Sequence, residues 1–264
     1  MSKALPRSFT DFLYPTVPFV AVVVAWEGAS RGGLIAPYLL PAPSDVVAKL
    51  VEARASLLAH TLITAVEIVL SFLVALVVGV ALAVAVVYVR PLEKAVYPWI
   101  VASQVIPKVA IAPLFIVWFG FGLAPKVIIG FLIAFFPILV DTVIGLRSVE
   151  AESIYLMQSM GAGRWLSFLR LRLPNAAPNI FAGMKVAITL ATVGAIVAEF
   201  VGANEGLGYI LLFANGIVDT KLLFAALTLI SLLALALYLV VGALERVVIR
   251  WHVSTRSQPI SFSA

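Results

Sequence analysis

The sequence predicts an all-α, polytopic membrane protein with about six transmembrane helices, and three observations carry that prediction. Hydrophobic residues fill 63% of the 264 positions and charged residues only 12%, against about 45–50% and about 25% in soluble domains. A soluble fold of this size has too much surface to hide so much apolar side chain. The apolar residues also gather into six runs, near 12–28, 61–89, 96–120, 124–146, 178–201 and 222–249, of roughly the 20 residues needed to cross the hydrocarbon of a bilayer. Finally, the basic residues behind the net charge of +5 sit in short connections between these runs, a pattern of membrane orientation rather than nucleic-acid binding.

The first run follows Lys3 and Arg7 and ends at Trp26-Glu27-Gly28 without a small-x-small cleavage pattern, so it reads as a retained first span rather than a secretory leader. In the connection 41–59, Pro41-Ala42-Pro43 is followed by Ser44-Asp45, a helix cap expected to open a short amphipathic helix on the outer surface. The third run carries Pro107 and Pro113 around Lys108; each proline lacks a backbone donor, so a bend is expected there. In 202–221, Gly206-Leu207-Gly208-Tyr209 opens an apolar segment too short to span, which reads as an interfacial or re-entrant helix. The polar tail from Ser254 is expected to be poorly ordered. The whole chain, 1–264, reads as one transmembrane domain.

Alternate connections differ in charge. One set holds Lys3, Arg7, Arg90, Lys94, Arg147, Arg164, Arg170, Arg172, Arg246, Arg250 and Arg256, eleven in all, and the other holds Arg31, Lys49, Arg54, Lys126 and Lys221, five in all. The excess places both termini in the cytoplasm, in keeping with an even number of spans.

Several chemistries are excluded. There is no Gly-x-x-x-x-Gly-Lys-Ser/Thr loop and no Gly-x-Gly-x-x-Gly, so the chain has no such cradle for nucleotide phosphates. It has no cysteine, and its two histidines, His60 and His252, fall near opposite membrane faces, which leaves no metal site. No nucleophile has a base and an orienting partner, so catalytic residues are not expected.

The longest cytoplasmic connection, 147–177, is unusually apolar. Residues 150–160 suit one short helix, Gly161-Ala162-Gly163 a sharp turn with positive φ, and 165–173 a second helix, after which Pro174 resets the chain before the next span. Such a projecting hairpin suits docking in a groove of a cytosolic protein. The segment resembles the coupling loop of ABC importer permeases, whose pattern is Glu-Ala-Ala, three residues, Gly, nine residues, Ile-x-Leu-Pro. Gly161 takes the glycine slot and Leu171-Arg172-Leu173-Pro174 stands nine residues later, while Tyr155-Leu156-Met157 replaces Glu-Ala-Ala. The resemblance extends over nearly the whole chain. Ile106-Pro107-Lys108 through Pro113-Leu114, Trp118-Phe119-Gly120-Phe121-Gly122, Ala198-Glu199-Phe200-Val201-Gly202-Ala203, Gly206-Leu207-Gly208-Tyr209 and Leu244-Glu245-Arg246 look like the nitrate/sulfonate/taurine-type branch.

The resemblance implies a type I importer of the bacterial cytoplasmic membrane. It implies a second permease subunit, expected to be another copy of this chain, and two cytosolic ATPase subunits that carry ATP and Mg. An extracytoplasmic binding protein would deliver a small polar solute of the sulfonate, nitrate, taurine, vitamin or pyrimidine-precursor type. The stretch from Gly183 to Glu199 looks somewhat closer to pyrimidine- or riboflavin-type members. The rival reading, a stand-alone secondary transporter or channel, shares the hydropathy but needs no coupling loop.

Ionisable side chains inside hydrocarbon cost about 2.5–3.5 kcal/mol each on insertion scales and so call for a role. Lys108, Asp141, Lys185, Glu67 and Glu199 are the candidates for the translocation pathway, with Thr189 and Thr192 on a stripe with Lys185. Lys185 is expected either to attract a polar or anionic solute or to pair with Asp141. Glu67 shares a face with Thr64 and Ser71 that lines a cavity or packs on another helix. Gly183, Ala187, Ala191 and Ala195 form a second stripe whose small residues allow close helix approach. Phe135-Phe136-Pro137 is a candidate hydrophobic constriction, against ordinary packing between helices.

Overall fold

A computed structural model describes residues 7–249 except 90, 93, 96, 97, 99–101, 103 and 104. The expected polar tail from Ser254 therefore lies outside the described residues. The elements in order are α1 (Arg7–Arg31), α2 (Pro43–Glu52), α3 (Arg54–Tyr88), α4 (Ala112–Phe119), α5 (Leu123–Arg147), α6 (Ala151–Ser159), α7 (Arg164–Ser167) with a π-turn (Phe168–Arg172), α8 (Leu173–Gly202), α9 (Leu207–Gly216) and α10 (Thr220–Val248). No strand occurs among the described residues. Four helical stretches are long and apolar enough to cross a membrane, namely α3, α5, the continuous run Arg164–Gly202 and α10. They match four of the six expected spans, and the 25-residue α1 covers the run expected at 12–28.

The expected third span is different. Residues 106–111 are not helical, and α4 starts anew at Ala112 with Pro113 in its first turn. The break follows from Pro107 and Pro113 lying six residues apart, each without an amide to close a helical turn.

The core is a bundle of α3, α5 and α8. Ile68, Phe72 and Ala75 of α3 meet Ala134 and Ile138 of α5 and Phe181, Met184, Ala187, Ile188, Ala191 and Ala195 of α8. The small-residue stripe is thus wholly internal. Helices α5 and α8 run antiparallel through three glycine crossings: Gly145 against Ala176 and Asn179, Asp141 and Pro137 against Gly183, and Gly130 against Gly194. A Cβ on Gly194 would lie 2.6 Å from Gly130 Cα, closer than any carbon pair tolerates. In lipid, where apolar burial drives little helix association, this backbone approach supplies the van der Waals attraction instead. Large side chains such as Val77, Leu62, Leu232 and Val240 remain exposed outward, as membrane-facing surfaces require.

At one end of the bundle, α2, the first turn of α3, α9 and the start of α10 form a second cluster around Val46, Leu57, Leu207, Ile210, Leu211, Ala225 and Ala226. Helix α2 begins where expected, but Ser44 does not cap it. Its hydroxyl donates to Glu27 Oε1 at 2.7 Å, its backbone N–H donates to Glu27 Oε2 at 3.0 Å, and Arg31 donates to Ser44 at 2.6 Å. A carboxylate borrowed from α1 thus serves the helix N-terminus. The connection 147–177 lies at the opposite end.

Candidate functional site

Three places hold the residues that the sequence singled out. The first is the hairpin at the end of α5. Glu150 opens α6, and the helix stops in a Schellman motif: Ala162 N–H donates to Met157 O at 3.0 Å and Gly161 N–H to Gln158 O at 2.9 Å, with Gly161 at φ 80°. Only glycine adopts that backbone without strain. No residue of α6 is buried. Tyr155, Leu156, Met160 and Trp165 are 67%, 63%, 75% and 71% exposed, while Met157, Leu171, Leu173 and Pro174 are half-buried toward the hairpin root. The root is held by Leu146, Phe168 and Ala176.

The chain does not reset at Pro174. Leu173 N–H reaches back five residues to Phe168 O, and this π-turn hands α7 directly to α8. The missing Pro174 amide falls where the register already changes, so no break results. Met160 to Gly163 join the exposed α6 to a 39-residue helical run from Arg164 to Gly202.

The second place is a buried polar cluster at the opposite end. Lys126 Nζ lies 2.6 Å from Glu67 Oε1. Thr64 Oγ1 donates to Glu199 Oε1 at 2.6 Å and accepts from Leu207 N–H at 2.8 Å. Gly208 N–H donates to Glu199 Oε2, and Gly206 N–H to His60 Nδ1 at 2.9 Å. The first amides of α9 are thereby satisfied by α3 and α8 side chains. Gly206 and Gly208 are required because a Cβ on either would run into the Glu199 carboxylate. Glu67 and Glu199 are each 1% exposed. Of the two readings left open for the Glu67 face, packing on another helix is the one observed. Glu67, Glu199 and the buried Thr192 point into the bundle, not into an open cleft of this chain.

The third place is a cleft of about 490 Å³ lined by Lys185, Thr189, Tyr238 and Glu245 among others. Lys185 Nζ lies 2.5 Å from Glu245 Oε2, so its partner is Glu245 on α10 and not Asp141. Asp141 is held apart, against Gly183 on a different face of α8. Thr189 faces the cleft, but Thr192, further along the same stripe, is covered. Lys108 sits outside all three places, with its ammonium 5.9 Å from the centre of the Phe136 ring. Phe135 packs on Phe131, one turn earlier on α5, at 5.5 Å, and both rings lie against the bundle core. His60, Lys126 and Glu245 were missed as site residues. Glu245 had a signal in Leu244-Glu245-Arg246, but Lys126 and His60 read as connection residues.

Comparison with known proteins now bears on the chain. The profile described as "Binding-protein-dependent transport system inner membrane component" matches residues 75–251. This chain belongs to that family. It is an ABC importer permease, a transmembrane subunit of a class whose members are not themselves ATPases. The permease is 39% identical over 255 residues to the riboflavin transport system permease protein of Chloroflexus aurantiacus, covering 94% of this chain and 95% of the relative. It is 36% identical over 249 residues to the formylaminopyrimidine transport permease protein of Halalkalibacterium halodurans, with 94% and 99% covered. The taurine transport system permease protein of Escherichia coli is 27% identical over 238 residues, with 88% and 86% covered. The hairpin and, from the cluster, Lys126, Glu199, Gly206 and Gly208 lie within the matched residues, while His60, Thr64 and Glu67 precede them.

Proposed function

We propose that this permease forms half of an alternating-access pathway in the bacterial cytoplasmic membrane, paired with a second copy, with both termini and the 147–177 hairpin in the cytoplasm. Two ATPase subunits, which carry ATP and Mg, dock on the hairpin, and an extracytoplasmic binding protein delivers the solute at the α2/α9 end. The observation that carries the reading is the hairpin itself: exposed apolar side chains with no cover among the described residues, joined through the Gly161 turn to a transmembrane helical run. A push on α6 enters through the Gly161 turn and travels along the rigid run to Gly202, so closure of an ATPase pair becomes a tilt of the α5/α8 pair.

The Leu156→Asp/Tyr155→Ala variant is expected to insert normally yet retain less than a tenth of the ATPase that co-purifies with wild type, and to lose solute uptake. Full ATPase retention with normal uptake rejects the docking surface. The solute is a nitrogen heterocycle of riboflavin or pyrimidine-precursor type, a reading supported by the names of the more similar relatives. Uptake measured in parallel with riboflavin, an aminopyrimidine and taurine decides it, and transport of taurine alone rejects it.

Lys185 supplies positive charge to the pathway. The Lys185→Glu/Glu245→Lys exchange is expected to keep the pair and the folded yield while lowering uptake at least tenfold. Full uptake by the exchanged protein would mean that the pair serves packing only.

A further inference from the structure

A second cleft, of about 550 Å³, opens between the last turn of α3 and the hairpin, lined by Val87, Tyr88, Gln158, Arg164, Ser167 and Arg172 among others. Among the described residues no carboxylate lines it. Among the described residues neither Arg164 nor Arg172 makes an ion pair. The Arg172 guanidinium instead stands 5.3 Å from the centre of the Tyr88 ring. That ring is held edge-on by Phe168 at 5.8 Å, so the arginine is positioned by packing before any anion arrives. Two unneutralised guanidiniums converging on one concavity, with a seryl hydroxyl and a carboxamide beside them, match the donor set that grips a phosphoryl group.

The position of the cleft selects the source. Tyr88 and Val89 end a 35-residue apolar helix and are 37% and 47% exposed, so the cleft sits where α3 leaves the hydrocarbon. A basic pocket at that depth meets lipid headgroups, while the apolar flank of α3 beside it accepts acyl chain. We propose that Arg164 and Arg172 form a binding site for the phosphoryl headgroup of an anionic lipid, wedged between α3 and the hairpin. A lipid seated there braces the hairpin root against the membrane, independently of what docks on the outer face of α6.

The test uses the intact transporter in neutral detergent, titrated with phosphatidylglycerol and followed by native mass spectrometry. Wild type is expected to keep phosphatidylglycerol but not phosphatidylcholine. The Arg164→Ala/Arg172→Ala variant is expected to bind it at least tenfold more weakly, while Arg170→Ala, exposed outside the cleft, is unchanged. Thermal melting of each variant confirms that it is folded, and Arg164→Gln/Arg172→Gln stands in if the alanine form is not. Equal retention by wild type and a folded double variant overturns the proposal. So does displacement of the lipid by millimolar inorganic phosphate, which would make the site one for soluble phosphate. Loss of the ATPase subunit with unchanged lipid binding also overturns it, since the arginines would then serve protein docking.

Discussion

Replacing Lys126 by methionine is expected to destabilise the folded permease by about 3–5 kcal/mol, the cost of leaving one half of a buried ion pair without its partner. Lys126 is the cation of a cluster that also contains two buried carboxylates, Glu67 and Glu199. Without it those carboxylates face each other at low dielectric, and α9, whose first amides depend on Thr64 and Glu199, loses its anchor. The Lys126→Met/Glu67→Leu double variant removes the uncompensated charge as well and is expected to regain most of the loss, because a buried pair replaced by apolar groups of similar size is often neutral. Thermal melting of the purified transporter measures both. A single variant within about 1 kcal/mol of wild type, or a double variant worse than the single, would mean that the cluster does not hold α9.

At the α5/α8 crossing, Gly194→Leu is expected to abolish accumulation of the folded protein, and Gly194→Ala to cost about 1–3 kcal/mol, the usual range for overpacking a tight interior. The added methyl meets Gly130 Cα at 2.6 Å, and a backbone atom cannot rotate away as a side chain can. The helices must separate along their whole antiparallel contact, which also opens the neighbouring Gly183 crossing. Gly28→Ala, where a Cβ meets nothing within 4 Å, is the matched control and is expected to be silent. Yield in membranes and melting temperature are the readouts. A Gly194→Leu protein that accumulates and melts like wild type would show that the helices are held apart from contact in the functional state.

Much of this was legible along the chain. Hydropathy runs gave the four long apolar helices because a helix in lipid satisfies its own backbone, so span position depends on local composition alone. Gly161 announced its turn because positive φ is a local demand, and Gly206, also at positive φ, announced the start of α9 for the same reason. The internal role of the Gly183–Ala195 stripe followed from a four-residue period.

The tertiary structure decided the rest. Lys185 has Glu245 rather than Asp141, Ser44 has its cap from Glu27, and Lys126, which reads as a connection residue, closes the pocket of Glu67 fifty-nine positions away. Pro174, which reads as a stop, sits inside a continuous helix because the π-turn before it absorbs the missing amide. The sequence by itself determined which segments enter the membrane, where the chain turns, and the family it belongs to. Pair identities were decided by packing, since an ion pair or a glycine crossing depends on the rotation and register of two helices, which no run of neighbouring residues encodes.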